Sequence, residues 1–144
     1  MVSPITFQVK LLDEHLLILL CEEFFKREGD QAWLNSKTQI ETLFIEFEKW
    51  REKTLPLEKI CNIAAHYFWA FSRKGLFPKN NLKIALAMCL TFLRINKILI
   101  QVKEMSLFQM ALDTGHREAS LQEFSEFLLD HVSCNIPTNV EFTS

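Results

Sequence analysis

The sequence predicts an all-α fold, a single compact bundle of about six helices, with one short β segment near 98–102. Three observations carry this. Only 3 of the 144 residues are glycine, where average usage gives about ten, and β folds need glycine at their tight turns. Apolar residues recur at three- and four-residue spacing along most of the chain, the period of a helix with one buried face. Thirteen phenylalanines in a composition that is 49% hydrophobic supply one core, and this length supports one domain rather than two. The expected domain fills 1–144, with a core over 6–132 and a loose tail at 133–144.

The first helix is expected over 11–27. Leu12, Leu16, Leu19, Leu20 and Phe24 form its apolar face, and Gly29 ends it as a C-cap. Ser36 is the expected cap of a second helix, 37–53, with Ile40, Leu43, Phe44 and Phe47 inside and most charges outside. Pro56 breaks that helix and suits the first turn of a third. The third, 57–73, is apolar nearly all round and therefore expected at the centre. Asn80 or Asn81 caps a fourth helix that runs to 96, where small Ala85 and Ala87 permit close approach. After the extended segment a fifth helix runs from Ser106 to Thr114-Gly115. Ser120-Leu121-Gln122-Glu123 is a capping box that opens the last helix, expected to end near His131 with Phe124, Phe127 and Leu128 inside.

Charge and cysteine usage narrow the class. Sixteen Lys and Arg against 18 Asp and Glu leave a net charge of −2, which excludes a globally basic nucleic-acid binder. Cys21, Cys61, Cys89 and Cys134 are far apart and form no C-x-x-C pair, so buried, reduced thiols are expected rather than a metal or redox motif. The first residues lack a basic and apolar leader, and the stretch 84–102 carries Arg94, Asn96, Lys97 and Gln101, too polar for a membrane span. A cytoplasmic location is expected, with export that uses no cleaved signal left open. His15, His66, His116 and His131 are isolated, and no pair has metal-binding spacing.

The join between the third and fourth helices carries the most chemistry. A helix N-terminus offers unpaired N–H groups to anions, and Asn80, Asn81 and Lys83 add amide donors and a charge. The plain alternative is a helix connection with asparagine capping.

Here the chain resembles the Fic/Doc (Fido) family. The run Ala64-Ala65-His66-Tyr67-Phe68-Trp69-Ala70-Phe71-Ser72-Arg73 resembles its alanine- and aromatic-rich helix. Gly75-Leu76-Phe77-Pro78-Lys79-Asn80-Asn81-Leu82-Lys83-Ile84-Ala85 stands where that family has H-x-F-x-D-(G/A)-N-K-R-T. Leu90-Thr91-Phe92-Leu93-Arg94-Ile95-Asn96 resembles the helix that follows. The similarity is closest to the small death-on-curing toxin branch. It extends through Phe108-Gln109-Met110-Ala111-Leu112-Asp113-Thr114-Gly115 to the last helix, about residues 6–132 in all.

The resemblance implies a fold and a departure from the family's chemistry. Phe77 matches the phenylalanine that packs inward, and Asn81 the asparagine that contacts phosphate. The general-base histidine falls on Gly75, which has no side chain. The acidic magnesium ligand falls on Lys79, with the charge reversed. The motif lysine falls on Leu82, the arginine on Lys83 and the threonine on Ile84. Family members move AMP or phosphate from a nucleotide to a protein hydroxyl, and losing a general base costs about 10²–10⁴-fold in rate.

A pseudoenzyme is therefore expected: a non-catalytic interaction or regulatory module with a protein partner that is antitoxin-like, target-like or effector-like. No nucleic acid or membrane partner and no cofactor are expected. Phe25, Trp33, Trp50 and Trp69 are the candidate anchors. The alternative is a residual or altered transferase, a toxin of a toxin–antitoxin system, that uses ATP or another nucleotide through Asn81 and Lys83. Lys79 would there replace magnesium with an ammonium. A third reading is a structural helical domain in which the resemblance reports ancestry alone.

Overall fold

A computed structural model of the chain describes residues 5–24, 26, 30–72, 76–77 and 81–133. The chain order is β1 (Thr6–Gln8), α1 (Glu14–Phe24), α2 (Asp30–Phe47), a 3₁₀ turn (Glu48–Trp50), β2 (Thr54–Pro56), α3 (Leu57–Phe71), α4 (Asn81–Ile95), β3 (Leu99–Ile100), α5 (Glu104–Gly115), α6 (Leu121–Asp130) and β4 (Val132–Ser133). The all-α expectation holds, with six helices as the body of the fold. The strands form two short antiparallel ladders.

α3 is central, as its all-round apolarity predicts. Ile60, Ile63, Ala64, Ala65, Tyr67, Phe68 and Phe71 are buried along it, and it packs chiefly against α4 and α6. Aromatic pairs join it to its neighbours. Phe68 meets Phe124 of α6 at 4.8 Å between ring centroids, Tyr67 meets Phe92 of α4 at 5.0 Å, and Phe71 meets Phe44 of α2 at 5.1 Å. Tyr67 also stacks on Phe47, and its hydroxyl accepts the Leu12 N–H at 3.4 Å. Burial pushes the Tyr67 phenol well above its ordinary range. Of the two small residues on α4, Ala85 is buried and makes the close approach, whereas Ala87 faces outward.

Several boundaries differ from expectation, each for a physical reason. α1 buries Cys21 and half-buries Leu17 and Ile18, while Leu16 and Leu19 are 53% and 49% exposed. Its run of leucines supports more than one apolar face, so periodicity alone does not choose. α2 begins at Asp30, and Ser36 is a buried residue inside it rather than its cap. α2 stops at Phe47 because the chain turns through the 3₁₀ segment to Glu52, which adopts a left-handed φ of 59°.

The helix ends show how a glycine-poor chain turns. Glu52, Lys97 and Arg117 hold the left-handed positions that glycine usually takes. At the end of α4, Ile98 N–H donates to Leu93 O at 2.9 Å and Lys97 N–H to Arg94 O at 2.9 Å. That pair of bonds is a Schellman closure, and the buried Ile98 supplies the apolar contact that accompanies it. The expected capping box is present in both halves. Ser120 Oγ accepts Glu123 N–H at 3.0 Å, and Glu123 Oε1 accepts Ser120 N–H at 2.8 Å.

The extended segment near 98–102 is β3, which pairs Leu99 with Ser133 and Ile100 with Val132. Residues 132–133 therefore belong to the fold, and the rest of the expected tail, 134–144, lies outside the described residues. β1 and β2 were not expected. Phe7 pairs with Leu55, and Val9 N–H to Lys53 O continues the ladder at 2.8 Å. Cys21, Cys61 and Cys89 are free and buried, as expected, and burial pushes the Cys21 and Cys61 thiols up to about 12. Cys134 lies outside the described residues. Among the described residues no helix is long and apolar enough to cross a membrane.

Candidate functional site

The loop between α3 and α4 is described at Leu76, Phe77 and from Asn81 onward. The expectations placed on Gly75, Lys79 and Asn80 lie outside the described residues. Phe77 is 2% exposed and belongs to the core, beside a buried Leu76. Asn81 opens α4 and turns back on the loop: its Oδ1 accepts the Phe77 N–H at 2.9 Å. This one bond closes the connection, and the remaining polar group of the side chain is the Nδ2 amide.

The three loop residues do not converge. Asn81 and Lys83 are two positions apart on a helix, so their side chains leave about 200° apart around its axis. Lys83 is exposed and lines a groove between α4 and α5 with Leu86, Leu90, Glu104, Met105 and Phe108. Leu82, at the family's lysine position, lies on Gly115 at the end of α5. A Cβ built on Gly115 would come 2.5 Å from Leu82 Cδ2. Gly115 thus makes room for the Leu82 side chain.

Two further surfaces flank this region. A cavity of about 500 Å³ between α1 and α4 is lined mainly by Leu11, Leu16, Leu17, Ile84, Met88 and Ile95. It is the main apolar opening described, and Leu16 stands half out of it. Met105 and Phe108, 84% and 38% exposed, continue an apolar strip along α5.

The candidate anchors are only partly available. Trp50 is half-buried, with Lys49 Nζ 4.5 Å from its ring centroid and the His66 ring 5.6 Å away. Trp69 is half-buried beneath the Arg117 guanidinium at 5.3 Å. Phe25 and the Trp33 side chain lie outside the described residues. Sequence reasoning missed these cation–aromatic pairs. Trp69 and Arg117 come from distant segments, while Lys49 and Trp50 are adjacent and readable only once the turn is known.

His66 packs against Trp50 of the 3₁₀ turn. It sits on the outward side of α3 beside Trp50, and partial burial, then the nearby Lys49 ammonium, hold its imidazole below the usual 6.5. The folded chain therefore resists protonation that the unfolded chain accepts, and stability falls as the pH drops from 6.5 toward the folded value. Proton NMR of the His66 ring should show titration below 6.5, moved upward in Lys49→Ala. An unchanged midpoint in that variant would remove Lys49 as a cause.

Among the described residues no group of three His, Cys, Asp or Glu side chains is placed to hold a metal ion. Compared with known proteins, the chain matches no family model, no curated protein and no solved structure.

Proposed function

We propose that this chain is a Fic/Doc-like protein that has given up group transfer and works as a protein-interaction or regulatory module. The observation that carries this is the glycine at position 75, where the resemblance calls for the general base. Without a side chain there, no group at that point takes the proton from an attacking hydroxyl. The charge reversal at Lys79 removes the acidic ligand through which a magnesium ion would bridge phosphates. The described part of the loop agrees with this reading. The Asn81 oxygen is engaged with Phe77, and Lys83 opens into a different groove. The apolar cavity beside α1 and the exposed Met105 supply surface for a partner.

Restoring the loop tests this. The native chain should transfer no label from γ- or α-labelled ATP to any protein of a cell lysate. Gly75→His combined with Lys79→Asp and Leu82→Lys should gain transfer or toxicity. Label incorporation by the native chain would establish the residual transferase instead, a toxin-type enzyme using Asn81 and Lys83. A folded triple variant with no activity would favour a helical domain that shares only ancestry or shape.

A further inference from the structure

A second polar surface lies away from the loop. Lys49 and Trp50 of the 3₁₀ turn, Lys53 and Leu55 of the β2 approach, and Lys59, Asn62 and Ile63 of α3 line a cavity of about 490 Å³. Consecutive elements over 49–63 bring three ammonium groups to one opening, and no carboxylate is among its described lining residues. All three lysines are exposed, and none makes an ion pair among the described residues. Glu48, the acid nearest Lys49 along the chain, is taken up by Arg51 through two bonds of 2.6 and 2.7 Å.

The outward face of α3 continues beyond the cavity. On α3, Lys59, Asn62, His66 and Trp69 follow at spacings of three, four and three, one outward stripe on an otherwise buried helix. From Lys59 to Trp69 the stripe is about 15 Å long at 1.5 Å per residue. Arg117 closes its far end over Trp69. A chain of net charge −2 has thus gathered three lysines around one opening.

We propose that this face is a docking site for an acidic segment of a protein partner. Charge complementarity selects an anionic occupant. A single-stranded nucleic acid would need open aromatic faces for its bases to stack on. Here Trp50 already meets Lys49, His66 and Phe47, and Trp69 meets Arg117. The aromatic rings serve to hold the cations in place, and Asn62 adds an amide that donates to carboxylate or backbone oxygen. Three lysines around one opening, with Arg117 at the far end of the stripe, fit a run of Asp and Glu. The choice of a protein as occupant rests on the interaction reading above. No residue of the face belongs to the loop at 76–83, so the labelled-ATP experiment and this one fail separately.

Fluorescence anisotropy with the full chain and a fluorescein-labelled peptide of only Glu and Asp tests the site. Saturable binding at low salt that weakens as salt rises is expected. Combined Lys49→Ala, Lys53→Ala and Lys59→Ala should weaken it about tenfold. Lys26→Ala, Lys97→Ala and Lys103→Ala together change the net charge equally and should leave affinity within about twofold of the native chain. Because the three pocket lysines are exposed, melting curves of that variant should match the native chain. The proposal is overturned if the peptide does not bind, if both triple variants lose affinity alike, or if a single-stranded oligonucleotide of equal charge binds more tightly.

Discussion

Phe68→Ala should lower the unfolding free energy by about 4 kcal/mol, the cost of removing a large aromatic side chain from a site that cannot collapse. Phe68 is fully buried on α3 and meets Phe124 across the α3–α6 contact. The helices around it are held by other large rings, Tyr67, Phe71 and Phe92, so relaxation into the void is limited. Domains of this kind are stable by about 5–15 kcal/mol, and the loss is a large part of that. Urea unfolding should show a lower midpoint with an unchanged slope. Phe127→Ala, half-buried on α6, is the control and should cost less than half as much. A loss under about 1.5 kcal/mol for Phe68→Ala would mean that α3 is not the packing centre.

Asn96→Ala should cost about 2 kcal/mol through hydrogen bonds rather than volume. Asn96 is 4% exposed just past α4. Its Oδ1 accepts the Lys10 N–H at 2.9 Å, and its Nδ2 donates to Lys10 O at 2.9 Å and Phe92 O at 2.8 Å. One side chain thereby ties the segment after β1 to the end of a helix 86 positions away. Asn96→Asp separates the two roles, since it keeps the acceptor and loses both donations. Its carboxylate would face two carbonyl oxygens, which raises the folded pKa above the unfolded value of about 3.9. The variant should therefore be most stable below that value and lose stability as the pH rises through the folded one. Thermal melts from acid to neutral pH read this directly, and a flat profile would show that the carboxylate has found water instead.

These two residues mark where the sequence is readable. Phe68 lies on a helix apolar on every side, and that pattern has one sensible place in a small domain, the middle. Ser120 and Glu123 are equally legible, since a capping box is satisfied within four residues. The inward packing of Phe77 follows from its place between helices. The role of Asn96 was not legible, because its partner at Lys10 belongs to the other end of the chain. Nor was the inner face of α1, where Leu16 and Leu19 compete with Leu17, Ile18 and Cys21 on nearly equal apolar terms.

The same division holds at the two candidate surfaces. The residue types at Gly75, Lys79 and Leu82, on which the proposed departure from the Fic/Doc pattern rests, are visible in the sequence. That Asn81 turns back to Phe77 while Lys83 opens toward α5 is a matter of helix geometry and neighbouring packing. Lys49, Lys53 and Lys59 are close in the chain, and the path of the 3₁₀ turn and β2 into α3 gathers them at one opening. By itself the sequence determined the helical class, the central helix and the cap of α6. Those follow from local periodicity, short-range hydrogen bonds and side-chain chemistry. The tertiary structure alone decided which face of α1 is buried and how the strands pair. These depend on contacts between distant segments, whose energies no local pattern records.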